Sequence, residues 1–363
     1  MAIKGFGEKS GRFIPLLIII SISLALSAVG CRQTKPAAEK KTSGKQSEAL
    51  SGTVRVGYFP NITHSQAIVG LSRGIFQQAL GKKVKIETQV FNAGPSEIEA
   101  LFADAIDIGY IGPNPAINGY IKSNGEALRV IAGATSGGAV FIVRKDANIE
   151  SAKDLHGKKL ASPQLGNTQD VALRTYLKEN GLKLKDQGGD VEVAPAENPD
   201  ILTLFIKKEL DGAWVPEPWG ARLEKEGNGR LFIDERDRWP GGKFVTANVI
   251  VGAKFLKEHP DLVKAWLKGH IETTNWINDN PSAAQTILNG EIKKLTGKSL
   301  ADDVLSKAFT RLTVTWDPVK SSLFKSAKSA FGLGFIKSDD VKNIYDLKPL
   351  NEVLKEQGEP QIK

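Results

Sequence analysis

The sequence predicts a two-lobed α/β protein with largely parallel sheets. Three observations carry that expectation: strands alternate with helices along the chain, the alternation runs through two similar blocks, and the foldable stretch is too long for one ordinary domain. In the first block, residues 54–58 (VRVGY) alternate as a strand does, a turn follows, and 66–80 read as a helix. A strand at 84–91, a helix at 96–103 and a short strand at 106–111 (IDIGYI) come next, then strands at 128–134 and 139–144. The second block repeats the order: a strand at 159–162, a Gly-bearing turn, a helix at 171–179, a strand at 191–194, a helix at 200–208 and a strand at 212–215. Each block reaches a strand that opens with an aspartate and a glycine, Asp107-Ile-Gly109 in the first and Asp211-Gly-Ala213 in the second. After Thr246 a strand returns and the chain turns helical; 260–278 place Leu262, Val263, Trp266, Leu267, Ile271, Trp276 and Ile277 at a helical period and are expected to pack on the first block. Residues 341–354 also have helical character.

The first 52 residues are of another kind. Lys4, Lys9 and Arg12 form a basic start, 13–29 (FIPLLIIISISLALSAV) are almost unbroken apolar, and small residues lead to Cys31, the only cysteine of the chain. This resembles the bacterial lipoprotein signal, which is cut before a cysteine whose sulfur is then acylated; Ala28 stands where that motif more often has Leu. A signal of another type, or an apolar run of about 17 residues retained as an anchor, are the alternatives. Residues 32–52, rich in Lys, Glu, Ser, Ala and Gln, cannot bury enough surface to fold and read as a flexible tether.

These ends change the meaning of the charge. The chain carries a formal +8, more than half of it in the first 52 residues, so the basic balance does not point to nucleic acid. Beyond Cys31 no cysteine remains for a disulfide, a thiolate metal site or a thiol nucleophile. His64, His156, His259 and His270 are far apart and show no metal-ligand spacing; His259, in KEHPD, marks a helix end. Neither a metal nor a cofactor is expected. No Ser/His/Asp order, catalytic carboxylate pair or Gly-Lys phosphate loop is present, which argues against an enzyme.

Four segments, GYFPNITHSQAIVGLSRGIFQQALG, FNAGPSEIEALFADAIDIGYIGPNPAINGY, DLHGKKLASPQLGNTQDVALRTYLKENGL and DGAWVPEPWGARL, are similar in kind and order to the periplasmic binding proteins of ABC transporters for sulfonates, taurine and nitrate. The resemblance covers roughly residues 53 to 330. It implies the type II fold of those proteins, two α/β lobes joined by crossover strands that close on a ligand in the cleft, and it implies uptake rather than chemistry. On that reading residues 1–30 are a lipoprotein signal peptide and 31–52 the lipidated Cys31 with its tether. Residues 53–140 with 245–335 make lobe 1, 141–244 lobe 2 and 336–363 a C-terminal helical extension. The partners are a small anionic ligand, an ABC permease with its ATPase, and a bacterial membrane held through the lipid; the exported protein is expected to be a monomer.

Ligands of open α/β sheets lie beyond the carboxyl ends of strands, where turns enter helices and free backbone N–H groups point outward. Helix N-termini can hold an anion without a lysine, and the candidate turns lack Lys and Arg. Tyr58, Asn61, Thr63 and His64 follow the first strand; His64, in a polar turn, is expected to be exposed. Gly94 allows close backbone approach, Pro95 suits a first helical turn and Ser96 a cap. Gly112 and Asn114 follow the third strand, Thr135 and Ser136 lie near the lobe junction, and Asn167 and Thr168 precede a helix of the second lobe. The Ser, Asn, Pro and Gly of these turns are also ordinary capping residues before a helix. Trp214 would wall an alkyl or aromatic tail, or else sit in the lobe core. Glu217, rigid between Pro216 and Pro218, would suit a ligand with a cationic or hydroxyl end, or else be a surface hinge charge.

An aliphatic sulfonate is the first expectation for the ligand, from the character of FNAGPSEIEAL. Taurine, nitrate or bicarbonate, and a thiamine-pyrimidine precursor are the alternatives, the tiny anions set back by the aromatic Tyr58 and Trp214. A lipoprotein that senses its ligand would share these features. Eukaryotic pyrimidine-synthesising enzymes have the same fold but resemble one another through cysteine-rich motifs that this chain lacks.

Overall fold

The computed structural model describes residues 49–362. Cys31, the signal and most of the tether lie outside these residues. Among the described residues no helix is long and apolar enough to cross a membrane.

The chain starts with β1 (Gly52–Tyr58), whose alternate side chains are buried, and crosses to α1 (Ser65–Ser72) and α2 (Ile75–Leu80). The single helix expected over 66–80 is broken at Gly74, which takes the left-handed conformation (φ 71°) and lets the chain restart at Ile75. Next come β2 (Val84–Val90), α3 (Gly94–Phe102), β3 (Ile108–Ile111), α4 (Pro113–Lys122) and the long β4 (Leu128–Gly137). β1 pairs in parallel with β2 and β3.

β5 (Ala139–Arg144) opens a second sheet, followed by β6 (Lys159–Pro163), α5 (Thr168–Glu179), β7 (Glu192–Ala196), α6 (Asn198–Ile206), β8 (Gly212–Pro216), α7 (Trp219–Glu226) and β9 (Gly229–Asp234). β6 lies parallel to both β7 and β8, whereas β5 runs antiparallel between β8 and β9. The chain then returns to the first sheet as β10 (Val245–Gly252), antiparallel to β3 and β4. α8 (Ala253–Glu258), α9 (Pro260–Asp279), α10 (Pro281–Thr296), α11 (Asp302–Phe309), the edge strand β11 (Leu312–Val314), α12 (Lys320–Gly332) and α13 (Lys348–Gln357) complete it. The strand orders are β11-β4-β10-β3-β1-β2 and β7-β6-β8-β5-β9.

Apolar side chains cover both faces of each sheet, which gives two cores per lobe. α9 lies against α1 and α2, where Trp266 stacks on Phe76 with ring centres 3.8 Å apart and planes 6° from parallel. The chain passes from one sheet to the other twice, from β4 to β5 and from β9 to β10. The first passage is made by Gly137 and Gly138, both left-handed (φ 75° and 79°), and a β-carbon on Gly137 would come 2.7 Å from the Arg311 carbonyl. Only glycine combines that conformation with so close a neighbour.

The internal repeat has a structural basis. The Asp107 carboxylate accepts the backbone N–H of Arg55 at 2.8 Å, and Asp211 accepts that of Lys159 at 2.9 Å. Each aspartate therefore ties the start of one parallel strand to its neighbour. The helical character of 341–354 is realised only from Lys348. The preceding segment instead pairs with β4, Val130 donating to the Ile344 carbonyl at 2.8 Å and Asp346 donating back to Val130 at 3.0 Å.

Candidate ligand-binding site

A broad depression of about 910 Å³ lies at the amino end of β1 and is lined by Thr53, Arg55 and Asp107 among others. Arg55 pairs there with Asp107 and Lys254 with Asp104, and Glu126 and Glu258 add further carboxylates, so its lining does not favour an anion. The opposite, carboxyl ends of the strands meet between the lobes around a small pocket of about 20 Å³. Asn61, Thr63, His64 and Gly112 reach it from the first lobe, Asn167, Thr168 and Asn198 from the second, and Thr246 from the returning strand β10.

Local structure sets each group. The Thr63 carbonyl accepts the Thr135 hydroxyl at 2.7 Å, which holds the turn after β1 against β4. His64 Nδ1 accepts the Phe59 N–H at 3.2 Å and its ring stacks on Phe59, centroids 4.5 Å apart. Because Nδ1 is an acceptor, the neutral ring carries its proton on Nε2. Burial pushes the His64 pKa down to about 3, so at physiological pH the residue is a neutral N–H donor. Asn61 Oδ1 accepts the Trp219 indole N–H at 2.9 Å across the lobes, leaving its own amide N–H groups without a partner among the described residues.

From the second lobe, Asn167 Oδ1 caps α5 by accepting the Thr168 N–H at 2.8 Å. The Thr168 hydroxyl and Asn198 Oδ1 are buried without hydrogen-bond partners among the described residues. α6 begins at Asn198, so two helix N-termini face the pocket from this lobe. Among the described residues no lysine, arginine, aspartate or glutamate lines it. Its polarity comes from neutral donors and helix N-termini, an arrangement that favours an anion over a cation.

Not every expected residue is in place. Asn61, Thr63, His64, Gly112, Asn167 and Thr168 line the pocket, but His64 is buried rather than exposed, because Phe59 covers it. Trp214 is no wall of the cleft: it lies in the second lobe's core, stacked on Phe141, its indole N–H donated to Glu235 at 2.7 Å. Nor is Glu217 a surface charge, and it does not line the pocket. It is buried against Arg311, 2.7 Å away, and accepts the Ala221 N–H; burial pushes its carboxyl up and Arg311 opposes that shift. Tyr58 belongs to the core of the first lobe. Gly94 packs on Pro115, Pro95 opens α3, and the Ser96 hydroxyl turns back to the Ala93 carbonyl. Thr135 is spent on Thr63, Ser136 is a ladder residue between β10 and β11, and Asn114 lines a neighbouring cavity instead.

Asn92, Gln169 and Pro216, which also line the pocket, belong to the candidate turns NAGPS, QLGNTQ and WVPEPW, whereas sequence reasoning missed Phe59, Pro163, Asn198 and Thr246. Asn198 was within reach, since Asn-Pro after a strand and before a helix is the same turn chemistry. Thr246, inside a strand, has no local signal.

The family model described as NMT1-like matches residues 48–289. A putative binding protein of Brucella abortus is 27% identical over 272 residues, 70% of this chain and 79% of its own length. A putative aliphatic sulfonates-binding protein of Bacillus subtilis is 22% identical over 309 residues, 84% of this chain and 88% of its own. Among solved structures, the alkanesulfonate-binding protein SsuA of Xanthomonas axonopodis pv. citri, bound to MOPS, superimposes with a TM-score of 0.67 at 18% identity, covering 80% of this chain and 96% of that one. That likeness shows the same fold, two lobes around a cleft, and the curated relatives are binding proteins rather than enzymes. With a matching family model over most of its length and the lobes and cleft in place, the chain belongs to the NMT1-like family.

Proposed function

We propose that this chain is the exported solute-binding component of an ABC importer and that it takes a small aliphatic sulfonate by lobe closure. The observation that carries the reading is the pocket between the lobes, free of charged side chains and furnished by both lobes with neutral donors and helix N-termini. An anion held there contacts both lobes only when they are closed, so its binding energy shifts the population towards the closed form, which docks on a permease. The relatives named for sulfonate binding support the ligand class. Acylation of Cys31 would hold the monomer at the membrane.

One observation favours a second reading, a compact inorganic oxyanion such as nitrate. Neither Tyr58 nor Trp214, the two aromatics that argued against a tiny anion, lines the pocket, and Phe59, which does, is stacked on His64. Thermal unfolding of the full chain in detergent, with ethanesulfonate, taurine, nitrate, bicarbonate and a hydroxymethylpyrimidine, separates these. A ligand specific to the folded state raises Tm by mass action. A rise with ethanesulfonate supports the sulfonate reading, a rise with nitrate alone replaces it, and a rise with the pyrimidine alone removes the anion class.

A further inference from the structure

Thr168 lines two cavities. Beyond the pocket just described lies a second one of about 40 Å³, between α5 and α12, walled by Val171, Ala172, Trp239, Phe244 and Val245. The Trp239 and Phe244 rings stack with centroids 5.6 Å apart and planes 14° from parallel, so one wall is a flat apolar surface. The polar groups around it are mostly engaged: Glu235 accepts the indole N–H groups of Trp214 and Trp239, Arg238 pairs with Glu179, and Lys325 lies over the Trp239 ring.

Where Thr168 borders both cavities it lies against Gly112. A β-carbon on Gly112 would lie 2.4 Å from the Thr168 Oγ1, so this hydroxyl of the second lobe rests on the bare Cα of the first. The hydroxyl is buried and has no hydrogen-bond partner among the described residues. A group placed for packing alone would not need an oxygen there, since burying an unpaired hydroxyl is unfavourable.

We infer that the Thr168–Gly112 contact is a partition that sets the length of the ligand. The first pocket holds the oxyanion, which the Thr168 hydroxyl meets, and the same side chain shuts off the apolar slot that a tail longer than one or two carbons would enter. The inference rests on the sulfonate reading above.

The test is isothermal titration of the full chain in detergent with methane-, ethane-, butane-, hexane- and octanesulfonate, for the wild type, Thr168→Ala and Thr168→Ser. Wild type should bind the short members and discriminate against the long ones. Thr168→Ala joins the two cavities, and the ratio of hexanesulfonate to ethanesulfonate affinity should rise tenfold or more, while Thr168→Ser, which keeps the oxygen, should retain the wild-type profile. An identical chain-length profile in all three proteins, or a wild type that binds octanesulfonate as well as ethanesulfonate, overturns the partition and leaves the sulfonate reading standing. A wild type that binds no member of the series overturns both.

Discussion

His64 shows how a single residue changes meaning with burial. In the sequence it is a polar residue of a polar turn; in the fold it is sealed by Phe59 and reduced to one neutral donor. A neutral donor does not lose its proton to a ligand, so affinity is expected to be flat between pH 5 and 8, and His64→Ala should weaken binding about tenfold, or ~1.4 kcal/mol. A titration curve with a step near pH 6.5 would contradict that role. His270 is buried too, donating from Nε2 to the Gly133 carbonyl at 2.9 Å and meeting the Tyr110 hydroxyl at 3.0 Å, and burial lowers its pKa to about 4. Both folded pKa values lie below the unfolded one near 6.5, so the unfolded chain binds more protons in between. The stability from these rings is present above about pH 6.5 and is lost as pH falls towards 4 and 3. Glu235 runs the other way: burial raises it to about 7, so its contribution is present below about pH 4.5 and fades as pH rises through 7. Comparing the pH dependence of Tm in wild type and His270→Gln isolates one histidine; the variant's slope between pH 4 and 6.5 should be shallower, and equal slopes would refute the assignment.

At the scale of elements, what matters is which helix ends meet across the cleft. The segment WVPEPW carries two tryptophans, of which the sequence analysis weighed only Trp214. The strand–helix junction separates them: Trp214, on β8, faces the core, whereas Trp219, on the first turn of α7, reaches over to Asn61. The hydrogen bond forms only between lobes, so Trp219→Phe should weaken ligand binding three- to tenfold, consistent with ~0.5–1.5 kcal/mol for a lost hydrogen bond, and change Tm little. A large fall in Tm with unchanged affinity would place Trp219 in lobe stability instead. The limits of local reading also show here. Residues 66–80 have one helical period, yet Gly74 interrupts them, and 341–347 leave the helical pattern because the backbone of Val130 offers them a strand partner.

At the scale of the molecule, the two lobes share a rivet beside the crossing. Arg311, from the segment before β11, pairs with Glu217 at 2.7 Å and Glu224 at 2.8 Å in the second lobe, while its carbonyl accepts the Gly138 N–H. Removing the cation leaves a carboxylate buried next to the crossing. Arg311→Met should cost about 3–5 kcal/mol in urea unfolding, and Arg311→Met with Glu217→Gln should recover much of it. Equal losses in the single and double variants would show that the pair is not what stabilises this junction.

The sequence by itself determined the α/β lobes, their repetition, and which turns follow the strands, because strand alternation, helix periods and capping chemistry act over a few neighbouring residues. Tertiary structure decided which side chains of those turns face the cleft. Asn61, Thr63, His64, Gly112, Asn167 and Thr168 come together there, while Ser96 and Thr135 satisfy nearby carbonyls and Glu217 satisfies an arginine 94 residues away. Orientation depends on what packs against a turn from distant parts of the chain, and a buried polar group takes whichever partner the fold brings within hydrogen-bonding distance.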